Sequence, residues 1–260
     1  MNTSQSFDRA ASIYDQTRPL PEPTATHGLQ AILDITGPEA FILDAGTGTG
    51  RISIPLLKRG AKLVGCDLSM KMLMRLQEKF SSAQLTQADA ALLPFPANYF
   101  DALLTVHVMH LVGPWREALH EFRRVLKPGG AYLNIRTYEP VGISIREQIR
   151  DSWRSWTSAR GIDVRHPGVQ NRTELLQELQ MMGASLMEVE AVRCTHTYTL
   201  AEELERYETR VYSDTWKIPD VIFEASVQEL RERLVRDYGS LDGQLEDEVR
   251  FAIDVARFES

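Results

Sequence analysis

The stretch Leu43-Asp44-Ala45-Gly46-Thr47-Gly48-Thr49-Gly50-Arg51 decides the fold of this 260-residue chain. It follows an apolar run at 41–43 that predicts a buried strand, and it precedes residues 52–57, which predict the apolar face of a helix. Three glycines between a strand and a helix allow the backbone to approach a bound ligand closely. Dinucleotide sites have the spacing Gly-x-Gly-x-x-Gly, but here Arg51 occupies the last position. The stretch therefore indicates a cofactor loop whose spacing differs from that of NAD sites.

Strands and helices alternate on both sides of this loop. Apolar runs predict strands at about 40–45, 61–66, 84–88, 100–108 and 131–136, with helices between them. This alternation is typical of an open parallel α/β sheet. Further along, we predict helices at 140–160, 172–182, 201–212, 219–238 and 244–258, and a strand pair at 185–192 and 193–200.

Acidic residues follow the second and third predicted strands. In parallel sheets the ligand binds at the carboxyl ends of the strands, so Asp67 and Asp89 should lie near the glycine loop. Asp67 comes about 20 residues after the loop, where an acid accepts hydrogen bonds from ribose hydroxyls, with Leu68 and Met72 beside the adenine. Asp89 and the Ala90 N–H would bind the adenine edge. In the alternative interpretation neither residue binds a ligand: Asp67 is an acid that precedes a helix, and Asp89 is an acid that caps a loop.

Net charge, apolar runs and cysteine content disfavour nucleic-acid-binding, membrane-spanning and secreted proteins. A formal charge of −7 disfavours attraction to nucleic-acid phosphates. We expect no membrane span, because no apolar run approaches the roughly 18 residues that a span needs, and no secretory signal is evident. Two cysteines far apart, Cys66 and Cys194, predict reduced thiols in a cytoplasmic protein and no metal site.

These residues together resemble the class I S-adenosylmethionine (SAM) methyltransferases, small-molecule type, in the group that includes ubiquinone-biosynthesis methyltransferases. The resemblance covers residues 7 to about 137 and also uses the Leu93-Pro94-Phe95 and Lys127-Pro128-Gly129-Gly130 motifs. The tail resembles that of uncharacterised bacterial members. No Asn-Pro-Pro-Tyr-like motif follows strand four, which disfavours amino-group methylation of nucleic-acid bases or glutamine.

The resemblance implies a Rossmann-like seven-stranded sheet of order 3-2-1-4-5-7-6 with helices on both faces. It implies one domain over 1–260, with an N-terminal arm at 1–24, a core at about 25–137 and 171–200, and a mostly helical lid at about 138–170 and 201–260. SAM would be the methyl donor and S-adenosylhomocysteine (SAH) the product. The cofactor would contact Asp44, Ala45, Gly46, Thr47, Gly48, Gly50 and Arg51 in the loop, and Tyr14 and Arg18 in the arm.

His107 and His110 follow strand four and are the candidate catalytic residues. Histidine is the usual general base near neutral pH, and His107 could instead face the sulfonium of the cofactor. Alternatively, His107 is a polar residue whose hydrogen bonds are satisfied within the protein and that has no catalytic role. Methyl transfer to an atom that is already nucleophilic needs no general base.

Two other functions remain open from the sequence. One is a non-catalytic SAM-binding or regulatory protein of the same fold, which would bind SAM without turnover. The other is an NAD-dependent oxidoreductase, which the loop spacing and the lack of an evident Tyr-x-x-x-Lys pair disfavour. The sequence defines neither the methyl acceptor, taken to be a small molecule, nor the oligomeric state.

Overall fold

A sheet of seven strands organises the computed structural model, which describes residues 4–9, 11, 14–18, 20 and 22–258. The strands are β1 Phe41–Ala45, β2 Lys62–Asp67, β3 Gln84–Gln87, β4 Phe100–Val106, β5 Leu126–Pro140, β6 Ala184–Thr199 and β7 Gln244–Phe258. Their order in the sheet is β3-β2-β1-β4-β5-β7-β6. The predicted α/β class and strand order are therefore confirmed.

The helices are α1 Tyr14–Thr17, α2 Thr24–Thr36, α3 Ser53–Lys58, α4 Met70–Lys79, α5 Trp115–Val125, α6 Ile145–Ser158, α7 Arg172–Met181, α8 Leu200–Glu208 and α9 Asp220–Tyr238, with a 3-10 helix at Ser213–Lys217. Within the first of the two compact units described below, α2 and α3 pack on one face of the sheet and α5 and α7 on the other. Neighbouring strand residues point to opposite faces, and Ile42 packs with α2 and α3 whereas Leu43 packs with α5 and α7. Burial on both faces explains the continuous apolar runs of the central strands.

The described residues divide into two compact units. The second unit is Pro140–His166 together with Arg193–Val249, and the other described residues form the first. The second unit has its own apolar core, which includes Trp153, Leu204, Tyr207, Phe223 and Leu230.

The C-terminal segment corrects the predicted lid, because residues 244–258 form strand β7 rather than a helix. In the sheet order β7 lies between two other strands, and residues 251–256 are all buried. Apolar residues at 249, 251, 253 and 255 alternate with polar residues at 248, 250 and 254, a two-residue period that favours a strand and that the helix prediction did not use. The predicted strand pair at 185–200 is also wrong: β6 runs unbroken from Ala184 to Thr199, with no turn-forming residue at 192–193.

Parallel pairing brings the strand ends to one edge of the sheet. β1 pairs in parallel with β2 and β4, β2 with β3, and β4 with β5. The residues that follow β1, β2, β3 and β4 therefore share this edge, as the sequence predicts for Gly46, Asp67, Asp89 and His107.

Candidate cofactor-binding site

The glycine loop after β1 is held against the end of β2. The N–H groups of Gly46 and Thr47 both donate to the carbonyl oxygen of Cys66, at 2.7 and 2.9 Å. Gly46 has φ of +84°, and a Cβ there would lie 2.3 Å from Val108. Gly48 also has positive φ, but a Cβ there would meet no atom within 4 Å. The loop thus needs glycine at Gly46 for packing and leaves open space at Gly48.

Asp44 lies at the end of β1 and is fully buried. Its Oδ2 accepts a hydrogen bond from the Ser53 hydroxyl, which also contacts the Thr47 hydroxyl. Its Oδ1 has no hydrogen-bond partner among the described residues. Burial raises the pKa of Asp44 to about 6, because a low-polarity environment disfavours the charged carboxylate. A buried carboxylate oxygen without a partner is the kind of group that a bound cation or donor would satisfy.

Asp67 closes β2 and connects the loop to the next helix. Its Oδ2 accepts from the Gly48 N–H and its Oδ1 from the Ser69 N–H, both at 2.8 Å. Ser69 caps α4 by accepting from the Met72 N–H at 3.1 Å. Burial raises the pKa of Asp67. Each carboxylate oxygen can accept more than one hydrogen bond, so Asp67 retains capacity for ligand hydroxyls.

Asp89 stands two residues after β3 in a short turn. Its Oδ1 accepts from the Ala91 N–H at 3.0 Å and from the Ser4 hydroxyl at 3.3 Å, and its carbonyl accepts from the Leu92 N–H at 2.9 Å. Both Asp89 and Ala90 line the pocket described below.

His107 follows β4 and has φ of +55°, which is uncommon for a residue other than glycine. Its Nε2 lies 2.6 Å from the Thr137 hydroxyl. Burial, and then the guanidinium groups of Arg51 and Arg18, lower the pKa of His107 to about 3. The ring is therefore neutral near pH 7 and only weakly basic.

The N-terminal arm, meaning the described residues before α2, is bonded to the elements that form the site. Asp15 accepts from the Thr49 hydroxyl at 2.5 Å and from Lys79 at 2.8 Å. Asp8 accepts from the Ser69 hydroxyl, and the Gln5 N–H donates to the Leu111 carbonyl at 2.9 Å. The arm therefore contacts the glycine loop, α4 and the segment after β4.

One pocket collects most of the predicted site residues. Its lining includes Tyr14, Arg18, Gly46, Gly48, Asp67, Leu68, Met72, Asp89, Ala90, His107 and His110. The other predicted residues, Asp44, Ala45, Thr47, Gly50 and Arg51, are not among those that line it. Asp44, Ala45, Thr47 and Gly50 are buried, and Arg51 is half-buried.

The pocket also has walls that the sequence did not indicate. These residues are Ser4, Gln5, Phe7, Cys66, Ala88, Val106, Val108, Leu111 and Val112. Phe7 packs edge-on to Tyr14, with ring centroids 6.2 Å apart. Phe7 could have been identified as a pocket residue, because it is an aromatic residue in an otherwise polar segment. The valines and Leu111 could not, because their sequence context is that of ordinary core residues.

Comparison with known proteins supports the predicted resemblance. Residues 43–134 match the sequence model of a family described as a methyltransferase domain. Within the described residues, no helix is both long enough and apolar enough to cross a membrane.

Two curated relatives are similar over about half of their length. The malonyl-[acyl-carrier protein] O-methyltransferase of Salmonella typhimurium is 36% identical over 126 residues, which are 48% of this chain and 49% of that protein. The ubiquinone/menaquinone biosynthesis C-methyltransferase UbiE of Cereibacter sphaeroides is 36% identical over 136 residues, covering 48% of this chain and 54% of that protein. The chain thus spans about half the length of the curated relatives that it matches.

Solved structures share the fold. The YcgJ protein of Bacillus subtilis superposes with a TM-score of 0.62 at 16% identity, over 90% of this chain and 99% of that one. The phosphoethanolamine N-methyltransferase 2 of Haemonchus contortus, solved with S-adenosylhomocysteine, gives a TM-score of 0.55 at 20% identity, over 98% of this chain and 59% of that one.

Proposed function

We propose that this protein, which carries a methyltransferase domain at residues 43–134, transfers a methyl group from SAM to a small-molecule acceptor. One observation carries the proposal. The glycine loop, Asp67 and Asp89 follow three neighbouring parallel strands and meet around a single pocket. That arrangement is suited to a ligand with an amino-acid end, a ribose and a base.

The chain's own residues fit such a donor. The unpartnered Oδ1 of Asp44 and the loop carbonyls provide acceptors for an ammonium group, directly or through water. The open space at Gly48 allows close approach of the ligand, and Arg18 can pair with a carboxylate. Asp67 would accept from the ribose hydroxyls, and Asp89 with Ala90 would bind the adenine edge.

SAM, when bound, supplies an electrophilic methyl group on a sulfonium. The protein would contribute alignment and the exclusion of water. The apolar wall formed by Val106, Val108, Leu111 and Val112 suits that role. We further propose that specificity for the acceptor resides in residues 138–170 and 201–243, and that the protein acts in the cytoplasm.

Calorimetry with SAM, SAH and NADH tests the proposal. We expect the first two to bind and NADH not to bind. Asp67→Asn should weaken SAH binding, whereas Asp34→Asn, an exposed change on α2, should not. Binding of NADH without SAM would contradict the proposal and favour an oxidoreductase.

Turnover separates an enzyme from a non-catalytic binder. The protein is incubated with methyl-labelled SAM and a small-molecule extract, and labelled products are separated from the donor. Transfer of label supports the enzyme, whereas tight SAM binding with no transfer to any acceptor supports the binding protein.

A further inference from the structure

The first described residues of the N-terminal arm form part of the pocket wall. Ser4, Gln5 and Phe7 line the pocket together with Asp89 and Ala90. The Ser4 hydroxyl donates to Oδ1 of Asp89 at 3.3 Å, and this bond joins residues 85 positions apart in the sequence. A terminal segment is ordered only where it is tied to the rest of the domain. The bond therefore connects the arm directly to the residue that is proposed to bind the adenine edge.

The backbone next to Ser4 is fixed by a separate contact. The Gln5 N–H donates to the carbonyl oxygen of Leu111 at 2.9 Å, and the Leu111 N–H donates to the carbonyl oxygen of Val108 at 2.8 Å. Because the main chain at Gln5 is anchored to the segment after β4, holding the Ser4 hydroxyl against Asp89 costs less conformational entropy than it would in a free chain end.

The two carboxylate oxygens of Asp89 have different surroundings. Oδ1 accepts from the Ala91 N–H at 3.0 Å and from the Ser4 hydroxyl. Within the described part of the chain, Oδ2 accepts no hydrogen bond. The backbone of Asp89 is fixed by the bond from the Leu92 N–H to its carbonyl oxygen, at 2.9 Å. The two donors to Oδ1 thus restrict rotation of the carboxylate and leave Oδ2 able to accept from a ligand.

A carboxylate held in this way distinguishes purines by their exocyclic group. Adenine carries an amino group, which donates to a carboxylate, whereas hypoxanthine carries a carbonyl oxygen, which would face it as a second acceptor. A site that pairs with an N–H group of its ligand rejects the analogue that lacks this group, because the polar atom of the site is then left unpaired. A carboxylate that could rotate would instead reach the ring N–H that hypoxanthine carries beside its carbonyl. The discrimination therefore depends on what fixes the carboxylate.

We propose that Ser4 is a positioning residue for recognition of the adenine base. By holding Oδ1 of Asp89, it keeps Oδ2 oriented to accept from the amino group of adenine. The inference rests on the proposed function and on the proposed role of Asp89. Ser4 needs no contact with the cofactor to act in this way. Tyr14 and Arg18 of the same arm also line the pocket, so the arm would contribute to binding at both the base and the amino-acid end of the cofactor.

Calorimetry with SAH and S-inosylhomocysteine tests the inference, because these ligands differ only in the base. We expect the wild type to bind SAH more tightly by about tenfold or more. Ser4→Ala should lower this ratio about fivefold, as expected for the loss of one hydrogen bond, whereas Ser4→Thr keeps a hydroxyl and should retain the ratio. Equal binding of the two ligands by the wild type, or an unchanged ratio in Ser4→Ala, would overturn the inference.

Ser6→Ala is the matched control. Ser6 is exposed in the same arm, and its hydroxyl accepts from the Asp8 N–H at 3.4 Å. A general loosening of the arm would weaken SAH and S-inosylhomocysteine together, so the ratio separates positioning of Asp89 from a merely structural role. An equal fall of the ratio in Ser6→Ala and Ser4→Ala would contradict the proposal.

A double-mutant cycle shows whether Ser4 acts through Asp89. In Asp89→Asn the side-chain amide can turn its own N–H toward the carbonyl of hypoxanthine, so the ratio should approach one. Adding Ser4→Ala to this variant should then change the ratio no further. A further fall as large as in the single variant would show that Ser4 acts independently of Asp89 and contradict the proposal. Failure of SAM and SAH to bind the wild type at all would overturn the proposed function, and this inference with it.

Discussion

Replacing His107 with Asn should change how the stability of the protein depends on pH. In the unfolded chain the ring binds a proton as the pH falls below 6.5, but in the folded protein its pKa is about 3. Because the folded-state pKa is the lower one, the contribution of His107 to stability is fully present above pH 6.5 and is lost as the pH falls toward 3. Asn suits the position because it tolerates positive φ.

The size of this change in the free energy of unfolding depends little on the folded-state pKa of His107. Between about pH 7.5 and about pH 5, the unfolded chain takes up most of one proton that the folded protein does not, which costs about 2 kcal/mol. The Asn variant avoids this cost. It should therefore gain about 2 kcal/mol in free energy of unfolding relative to the wild type over this interval.

Urea unfolding followed by tryptophan fluorescence at a series of pH values measures the difference. Thr137→Val is the matched control, because it removes the partner of Nε2 and keeps the imidazole. Its difference from the wild type should stay constant with pH. A constant difference for the Asn variant as well would refute the reasoning, since His107 would then bind its proton in the folded state and could act as a base.

Other changes test the loop, the ribose acid and the arm. Asp67→Asn should cost about 1.5–3 kcal/mol of SAH affinity by calorimetry, because it removes hydrogen bonds to a charged group; unaltered affinity in a folded variant would remove this residue from the site. Gly46→Ala should lower the thermal midpoint more than Gly37→Ala, since both have positive φ but only the first would place a Cβ 2.3 Å from a neighbouring side chain; equal losses would show that the contact is unimportant. Asp8→Ala should speed SAH release in stopped-flow about fivefold by removing one arm bond worth about 1 kcal/mol; an unchanged rate would mean that the arm does not limit release.

The part of the fold nearest the glycine loop could be predicted because local signals agree there. The loop spacing, Asp67 and Asp89 each follow an apolar run, and parallel strands bring such positions to one edge. The segment 244–258 was predicted wrongly although it carries a strand signal. Apolar residues at 245, 249, 251, 253 and 255 alternate with polar residues at 248, 250 and 254. Phe251, Val255 and Phe258 also have helical spacing, so the apolar pattern alone fits both kinds of element.

The arm contacts were beyond sequence reasoning for a different reason. The bond of Ser69 with Asp8 joins residues 61 apart, and that of Lys79 with Asp15 joins residues 64 apart. Polar residues in a short terminal segment have the composition of a solvated tail. No local sequence pattern distinguishes such a tail from an arm that is bonded to the site.

Cys66 gives the protein a built-in reporter of whether the pocket is occupied. Its thiol lies at the pocket wall and is 1% exposed, and burial raises the pKa of the thiol, so it reacts slowly. A thiol reagent that enters the pocket competes with the ligand for the same space. The labelling rate of Cys66, read against the half-buried Cys194 as an internal reference, would therefore report the occupancy of the pocket without an engineered cysteine.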